Sequence, residues 1–525
     1  MLYKQLFHSL NMPSKKKKVS VSKQKEMKIS LWKPLLVGIL FLLWAIIEFY
    51  SAGTSLWFWF AAVISIVIIF PNLLWVKLGW GSPFIIPHVI TMLKTKHFVN
   101  TIYKLAKHSW LMEKISLAGI FVGFGLAGID YWVARPQKGA KRIGVLIIGA
   151  ICLGIVFYVT LNWLFMAPVL APLFLLGLIS FILLGFAGLS LAFLFGYGAL
   201  AINAVIIGKQ ICPAIAPVIP GVPIPGLGMV VPLIAWISLG FILIIHESAH
   251  GVLLARYKEK IKSVGLLLVG IFPAGAFVEQ EDRTFTKKSE KKQLLVLSAG
   301  SSSNLATMFI GIALLLLFAF ATIPMVDVVS TEYEKAYGGV IITNVLDEVS
   351  FCGITETAPA KGNLFVGDKV LGVNGKDVNS ISVLNREFAI SNDFNFLILR
   401  NGAEENVFIE PYIFEDMNLK RIGVAFEAEK TGYEPPIGIT IMSVLISAIN
   451  SILVFFVILS FAVGMFNFLP SDPLDGGRMA KIMLLPYFSF LNFNKKDTEK
   501  LIGRLFAWFF LISILLNLLP YITML

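Results

Sequence analysis

Pro232 to Arg256 reads PLIAWISLGFILIIHESAHGVLLAR, an apolar run long enough to enter a bilayer, with two histidines and a glutamate near its C-terminal end. On a helix His246 and His250, four residues apart, put both imidazoles on one face, with Glu247 beside the first. Zinc hydrolysis requires that arrangement: two imidazole ligands and a carboxylate placed to take a proton from water. The bland alternative is a polar contact inside a helical bundle. Ionisable groups at membrane depth are costly, however, and their default reading is functional. Because the short motif also recurs by chance, the assignment needs a third ligand from elsewhere.

Composition sets the class independently. The chain has 525 residues, 57% of them hydrophobic and 14% charged, far more apolar material than one soluble core uses. This is the composition of a polytopic α-helical membrane protein. The net charge of +12 suits basic cytoplasmic loops. The lysines cluster between apolar runs and form no aromatic-interleaved stripe, so no nucleic-acid partner is expected. Cys152, Cys212 and Cys352 are widely scattered and suggest neither a disulfide framework nor a thiolate metal site.

Residues 1–29 are polar, with Lys15 to Lys18 and then Lys23, Lys25 and Lys28, and are expected to be a cytoplasmic tail before a retained first span at Leu31–Tyr50. The N-terminal membrane region, 30–231, is expected to make about five crossings. Thr54–Val76 returns through the bilayer, Ile143–Phe165 spans, and Val169–Ile206 makes two short crossings with glycines at the contacts. Ser116–Ala134 has basic loops on both sides and fits a hairpin or re-entrant segment. Asp130, at its edge beside Arg135, Lys138, Lys141 and Arg142, is read as an interfacial ion pair ahead of an intramembrane acid. His8, His88, His97 and His108 have no ligand partners at suitable spacing and read as solvated or interfacial. Cys212–Pro232 has too many prolines for a helix and is an outer-face loop, either over the active site or a plain connector.

The histidine helix then runs inward, so Arg256, Lys258, Lys260 and Lys262 land in the cytoplasm and the chemistry lies near that face. Val264–Val278 is short and broken by Gly270, Pro273 and Gly275, hence a hairpin or loop dipping toward the membrane. Leu294–Ile323 crosses outward. Its Asn304 suits close helix packing and equally the orientation of a substrate backbone. The stretch 324–435 is a different material, with strand-like runs punctuated by Asn374-Gly375 and Asn401-Gly402. It reads as a small β-rich domain on the outer face. Residues 232–323 and 436–525 are then two parts of one membrane core. Ile437–Phe466 ends in Asn467-Phe468-Leu469-Pro470-Ser471-Asp472-Pro473-Leu474-Asp475-Gly476-Gly477-Arg478. Two prolines break the helix at membrane depth, tolerable only against protein or a polar cavity. Asp475 at that depth completes a two-histidine, one-carboxylate set with an open fourth position; Asp472 is the competing ligand. A last span covers Leu501–Leu519.

His246-Glu247-Ser248-Ala249-His250, the later Asn467-x-x-Pro470 with Leu474-Asp475-Gly476, and the intervening domain together resemble the site-2 protease family of intramembrane zinc metalloproteases, in its archaeal and eukaryotic branch. The resemblance implies one catalytic Zn2+ on His246, His250 and Asp475, Glu247 as catalytic base, and Asn467 holding substrate or intermediate. Phe272–Val278 resembles the segment after the histidine helix, which in bacterial members forms a membrane-associated β-hairpin near substrate. Ser298-Ala299-Gly300 to Asn304 resembles the motif opening the next core helix, with Ser301 where a proline is common. The inserted domain resembles a PDZ domain at Pro359-Ala360, Leu364–Asn374 and Gly375, without an evident carboxylate-binding glycine loop. The implied function is regulated intramembrane proteolysis, with a transmembrane protein already trimmed outside as substrate and the lipid bilayer as setting. A divalent-metal transporter and a proteolytically silent scaffold are the alternatives.

Overall fold

The computed structural model describes residues 32–52, 61–78, 81–84, 90–166, 170–213, 215, 218–224, 230–280, 285, 287–352, 354–414 and 419–523. The lysine-rich tail with His8, the start of the second span, His88, parts of the proline-rich loop and Glu281–Thr284 lie outside them. Among the described residues seven helices are long and apolar enough to cross a membrane, and a separate β-rich region interrupts them. The chain therefore has a polytopic helical membrane region.

The N-terminal region runs through α1 (Trp32–Ala52), α2 (Phe70–Lys77), strands β1 (Gly81–Phe84) and β2 (Ile90–Thr95), α3 (His97–Ala106), α4 (Trp110–Ile129), α5 (Ala140–Leu161) and α6 (Phe174–Ile206). The core continues with α7 (Ala235–Arg256), β3 (Ile261–Val269), β4 (Phe272–Gln280) and α8 (Glu290–Ala336). The β-rich insert comprises β5 (Tyr337–Val345), β6 (Glu348–Phe351), β7 (Ile354–Thr357), β8 (Lys369–Val373), β9 (Lys376–Asp377), α9 (Ile381–Ile390), β10 (Phe394–Arg400), β11 (Ala403–Ile409), β12 (Tyr412–Phe414), β13 (Leu419–Arg421) and β14 (Val424–Lys430). The chain closes with α10 (Ile437–Asn467), α11 (Asp475–Leu484), α12 (Lys495–Asn517) and α13 (Leu519–Thr523).

Two compact units result. One collects residues 1–121, 236–307 and 459–499; the other collects 122–235, 308–458 and 500–525. In the first, the stretch expected as a hairpin is one: β3 and β4 pair antiparallel, from Val264 opposite Val278 to Val269 opposite Phe272. The sequence reading missed its neighbours. β2 pairs with β3 and β1 with β2, giving a four-stranded sheet in the order β1-β2-β3-β4. The Trp75 indole donates to the Gly270 carbonyl at the hairpin turn (3.3 Å), and Phe272 stacks on Trp236 of α7 (4.7 Å).

In the second unit, α4 and α6 are both broken at glycines of positive φ. These are Gly125 (φ 53°) and Gly185 (φ 56°), a region open to glycine at little cost. The two breaks abut: a Cβ on Gly185 would stand 2.1 Å from the Val122 carbonyl, and one on Gly125 would stand 2.5 Å from that of Ile182. At Gly185 the chain doubles back, because a Cβ on Gly196 would meet Leu173 at 2.8 Å, whereas a straight helix would separate those residues by about 35 Å. The expected pairing of two short segments through glycines is present, but the leg before Leu184 falls well short of the ~20 residues of a crossing. The break at Gly125 falls inside the stretch expected to be re-entrant. Asp130, almost fully buried, receives a bidentate Arg142 (2.9 and 3.1 Å) together with Arg135 (3.5 Å), the ion pair that its neighbours suggested.

The cysteine reading needs correction. Cys212 and Cys352 form a disulfide across 140 residues, tying the loop after α6 to the β6–β7 hairpin; Cys152 is free and exposed. Spacing rules find local frameworks, and a bridge this long is set by tertiary folding alone. The helix expected to cross outward also runs further than expected. It continues through Pro324 to Ala336, since one proline removes a single backbone donor. The insert's main sheet has the order β11-β10-β8-β5-β14, with β9 on β8. Val340, Ile342, Leu364, Val370, Phe394 and Phe396 form its core, and Phe388 of α9 packs edge-on against Phe394 (4.5 Å).

Candidate metal centre

Helical spacing on α7 brings the His246 and His250 rings to 4.9 Å, with their Nε2 atoms 3.2 Å apart. The opposite ring nitrogens are both fixed by α8. His250 Nδ1–H donates to the Val296 carbonyl (2.6 Å), which leaves the Nε2 lone pair free. His246 Nδ1 lies 3.1 Å from the side-chain amide of Asn304, which is fully buried and whose other amide atom has no partner. With the amide turned so that its oxygen accepts from Nδ1–H, His246 also offers Nε2. Val296, Gly300 and Asn304 are spaced four apart and form one stripe of α8. The central position is kept empty: a Cβ on Gly300 would lie 2.4 Å from both Nε2 atoms.

The third group arrives from the break after α10. Asp475 is the first residue of α11, and Gly476 and Gly477 lie so close to the backbone of 468–472 that a Cβ on either would clash. Asp475 Oδ2 stands 3.0 Å from His250 Nε2 and 3.5 Å from His246 Nε2. Ligand atoms about 2.0–2.1 Å from a tetrahedral ion stand about 3.3 Å from one another, so separations of 3.0, 3.2 and 3.5 Å fit zinc. Among the described residues these three are the group able to hold a metal ion, and the cleared space at Gly300 is where it would lie. Asp472, the competing candidate, is instead paired with Lys481. Asn467 donates to the Val463 carbonyl of its own helix (3.0 Å) and, among the described residues, makes no hydrogen bond to the cluster.

Glu247 stands outside the ligand set and lines a cavity of about 740 Å3, bounded by α3, α7 and strands β2, β3 and β4. A carboxylate beside a metal position and open to a cavity is placed to handle the proton of a water. Close packing supports the centre from behind. The Ser298 hydroxyl donates to the Ser116 carbonyl of α4 (2.9 Å), and Ser302 lies where a Cβ on Gly119 would collide. The sequence reading missed Gly300 as spacer and Asn304 as orienting group. Their signal was present in the four-residue interval from Val296 to Gly300 to Asn304, the interval that singled out the histidines.

Comparison with known proteins agrees with this geometry. The model of peptidase family M50 matches residues 234–504, which include all three ligand candidates and Glu247. An uncharacterized protein of Methanocaldococcus jannaschii is 28% identical over 236 residues, covering 44% of this chain and 52% of its own length. A protein of Fusobacterium nucleatum, provisionally named a zinc metalloprotease, is 22% identical over 352 residues, covering 54% of this chain and 97% of its own. The match thus spans about half the length of the first relative and nearly all of the second.

Proposed function

The chain belongs to peptidase family M50, the site-2 proteases, and from that premise we propose that it is an intramembrane zinc metalloprotease cutting single-span membrane proteins. The observation that carries the reading is the convergence of His246, His250 and Asp475 on a space that Gly300 leaves clear. His246, His250 and Asp475 would hold a zinc ion, which would supply a water of lowered pKa and polarise the scissile carbonyl. Glu247 takes the proton of the attacking water and delivers it to the amide nitrogen as the C–N bond breaks. Asn467 turns from its own helix to donate to the developing oxyanion. A helical substrate has its carbonyls bonded internally. It unwinds to lie extended in the cavity beside Glu247.

The N-terminus is cytoplasmic, the β-rich insert extracytoplasmic, and the site within the membrane toward the cytoplasmic side. The Cys212–Cys352 disulfide supports the outer placement of the insert, because such bonds persist in oxidising compartments. The domain boundaries expected at 29, 231, 323 and 435 belong to the same reading. The insert is PDZ-like and excludes untrimmed substrates by size. In support, β14 already pairs with β5 and packs Phe426 on Phe388 of α9 (5.7 Å), so that edge of β5 is closed to strand addition by a peptide.

The test is incubation of the purified protein with tagged single-span substrates, with chelator and after zinc is restored. Cleavage lost and regained supports the reading. Cleavage indifferent to chelator, or none from a zinc-loaded protein offered trimmed substrates, overturns it.

A further inference from the structure

The cavity beside Glu247 has walls of two origins. α7, β3 and β4 supply Glu247, Ile244, Leu266 and Phe277, all within the family match, whereas Lys94, Lys96 and His97 come from the N-terminal region outside it. Most of the lining is apolar, and Glu247 is its one acid. Lys94 is balanced by Glu279 (3.3 Å). Lys96 is exposed, and among the described residues no carboxylate is paired with it. The cavity thus has apolar walls, a carboxylate on α7 and excess positive charge on the segment 94–97.

Resting on the protease reading, we infer that this cavity is a specificity subsite for an extended substrate segment in which apolar side chains are followed by an acidic residue, whose carboxylate meets Lys96. Charge complementarity selects the occupant. About 740 Å3 lies within the ~300–1,000 Å3 of pockets that enclose ligands of this size. Chemistry then comes from the family core, and sequence preference comes from the added N-terminal strands and helix.

The experiment measures binding apart from cleavage. Full-length protein stripped of metal with chelator is held in phosphatidylcholine nanodiscs. It is titrated with fluorescein-labelled single-span peptides that differ only in Asp, Asn or Lys after the apolar segment. Asp should bind about fivefold tighter than Asn, as expected for a partly exposed ion pair, with Lys weakest and the difference shrinking in salt. Lys96→Ala should remove the preference and Lys96→Glu reverse it, while zinc uptake by both variants stays at the wild-type level and certifies the fold. Equal binding of the three peptides, or a preference untouched by either variant, overturns the inference. So does loss of the Asp preference when phosphatidylglycerol replaces part of the lipid without weakening the Asn peptide, because the rim would then be a headgroup site. If the Asp preference holds but the zinc-loaded protein cuts none of the peptides, the protease reading fails and the subsite stands.

Discussion

Two aspartates separate the helical core from the β-rich insert. Asp368 in the insert, 3% exposed, accepts two hydrogen bonds from Arg400 (2.7 and 2.9 Å) and one from the Phe365 amide (2.8 Å). Its charge is matched by a permanent cation in fork geometry, and nothing further is required of it. Asp475 in the core faces two imidazoles that are fixed from behind by Val296 and Asn304, across a gap where α8 presents only Gly300. Unlike a guanidinium, the two imidazoles carry no permanent charge to match that carboxylate. A carboxylate closed off by arginine holds a fold together; one left facing two lone pairs and a cleared space is built for a metal ion.

The largest expected effect tests the role assigned beside that space. Glu247→Gln should lower peptide cleavage by about 10^3-fold, within the range of general-base removal, with zinc content measured by metal analysis unchanged. Stoichiometric loss of zinc would make Glu247 a ligand and redraw the contrast. Next, Gly300→Ala should weaken zinc binding about 100-fold or more in a competition titration against chelator, because the new methyl occupies the gap between the two Nε2 atoms. Wild-type affinity would mean that the ion lies elsewhere. Asn304→Ala should cost about 10- to 100-fold in the same titration, the usual effect of removing a group that orients a ligating histidine; Asn304→Asp should retain more affinity, since it still accepts from Nδ1–H.

The insert should respond on stability while zinc affinity stays the same. Cys352→Ser removes a bridge closing a 140-residue loop and should cost about 2 kcal/mol, the low end for disulfides, because membrane anchoring already confines the unfolded chain. Protease protection of the β domain reads this out. The smallest effect is at Asp368. Burial pushes its carboxyl upward, but the Arg400 hydrogen bonds and the Phe365 amide outweigh burial and hold it below the usual range. A depressed pKa contributes stability above the unfolded value of about 3.9, and that contribution is lost as pH falls through the folded value. Asp368→Asn should therefore cost about 1 kcal/mol at neutral pH and flatten the acid limb of the domain's unfolding curve below about pH 4. An unchanged acid limb would mean that the pair is not stabilising.

The extent to which this was legible varies with the range of the interaction. His246, Glu247 and His250 were legible because a helix converts a four-residue interval into one face, a rule internal to a single element. Asp475 was legible as a carboxylate beyond a proline-broken helix, though Asp472 differed from it only by context. The β3–β4 hairpin showed in Gly270 and Pro273, yet its pairing with β2 did not, because these partners lie more than 150 residues apart and leave no local mark on either strand.

Periodicity and the cost of burying charge are local rules, and through them the sequence alone determined a polytopic helical membrane protein, a histidine pair with its glutamate, and an inserted β-rich stretch. The tertiary structure decided which aspartate completes the set, by turning Asp472 to Lys481 and setting Asp475 on the histidines. It also decided that Gly300 is the space for an ion, that Cys212 finds Cys352, and that Lys96 reaches the cavity of Glu247. Each of these joins groups from distant segments. Their approach is fixed by close packing in three dimensions, and sequence spacing carries no record of such packing.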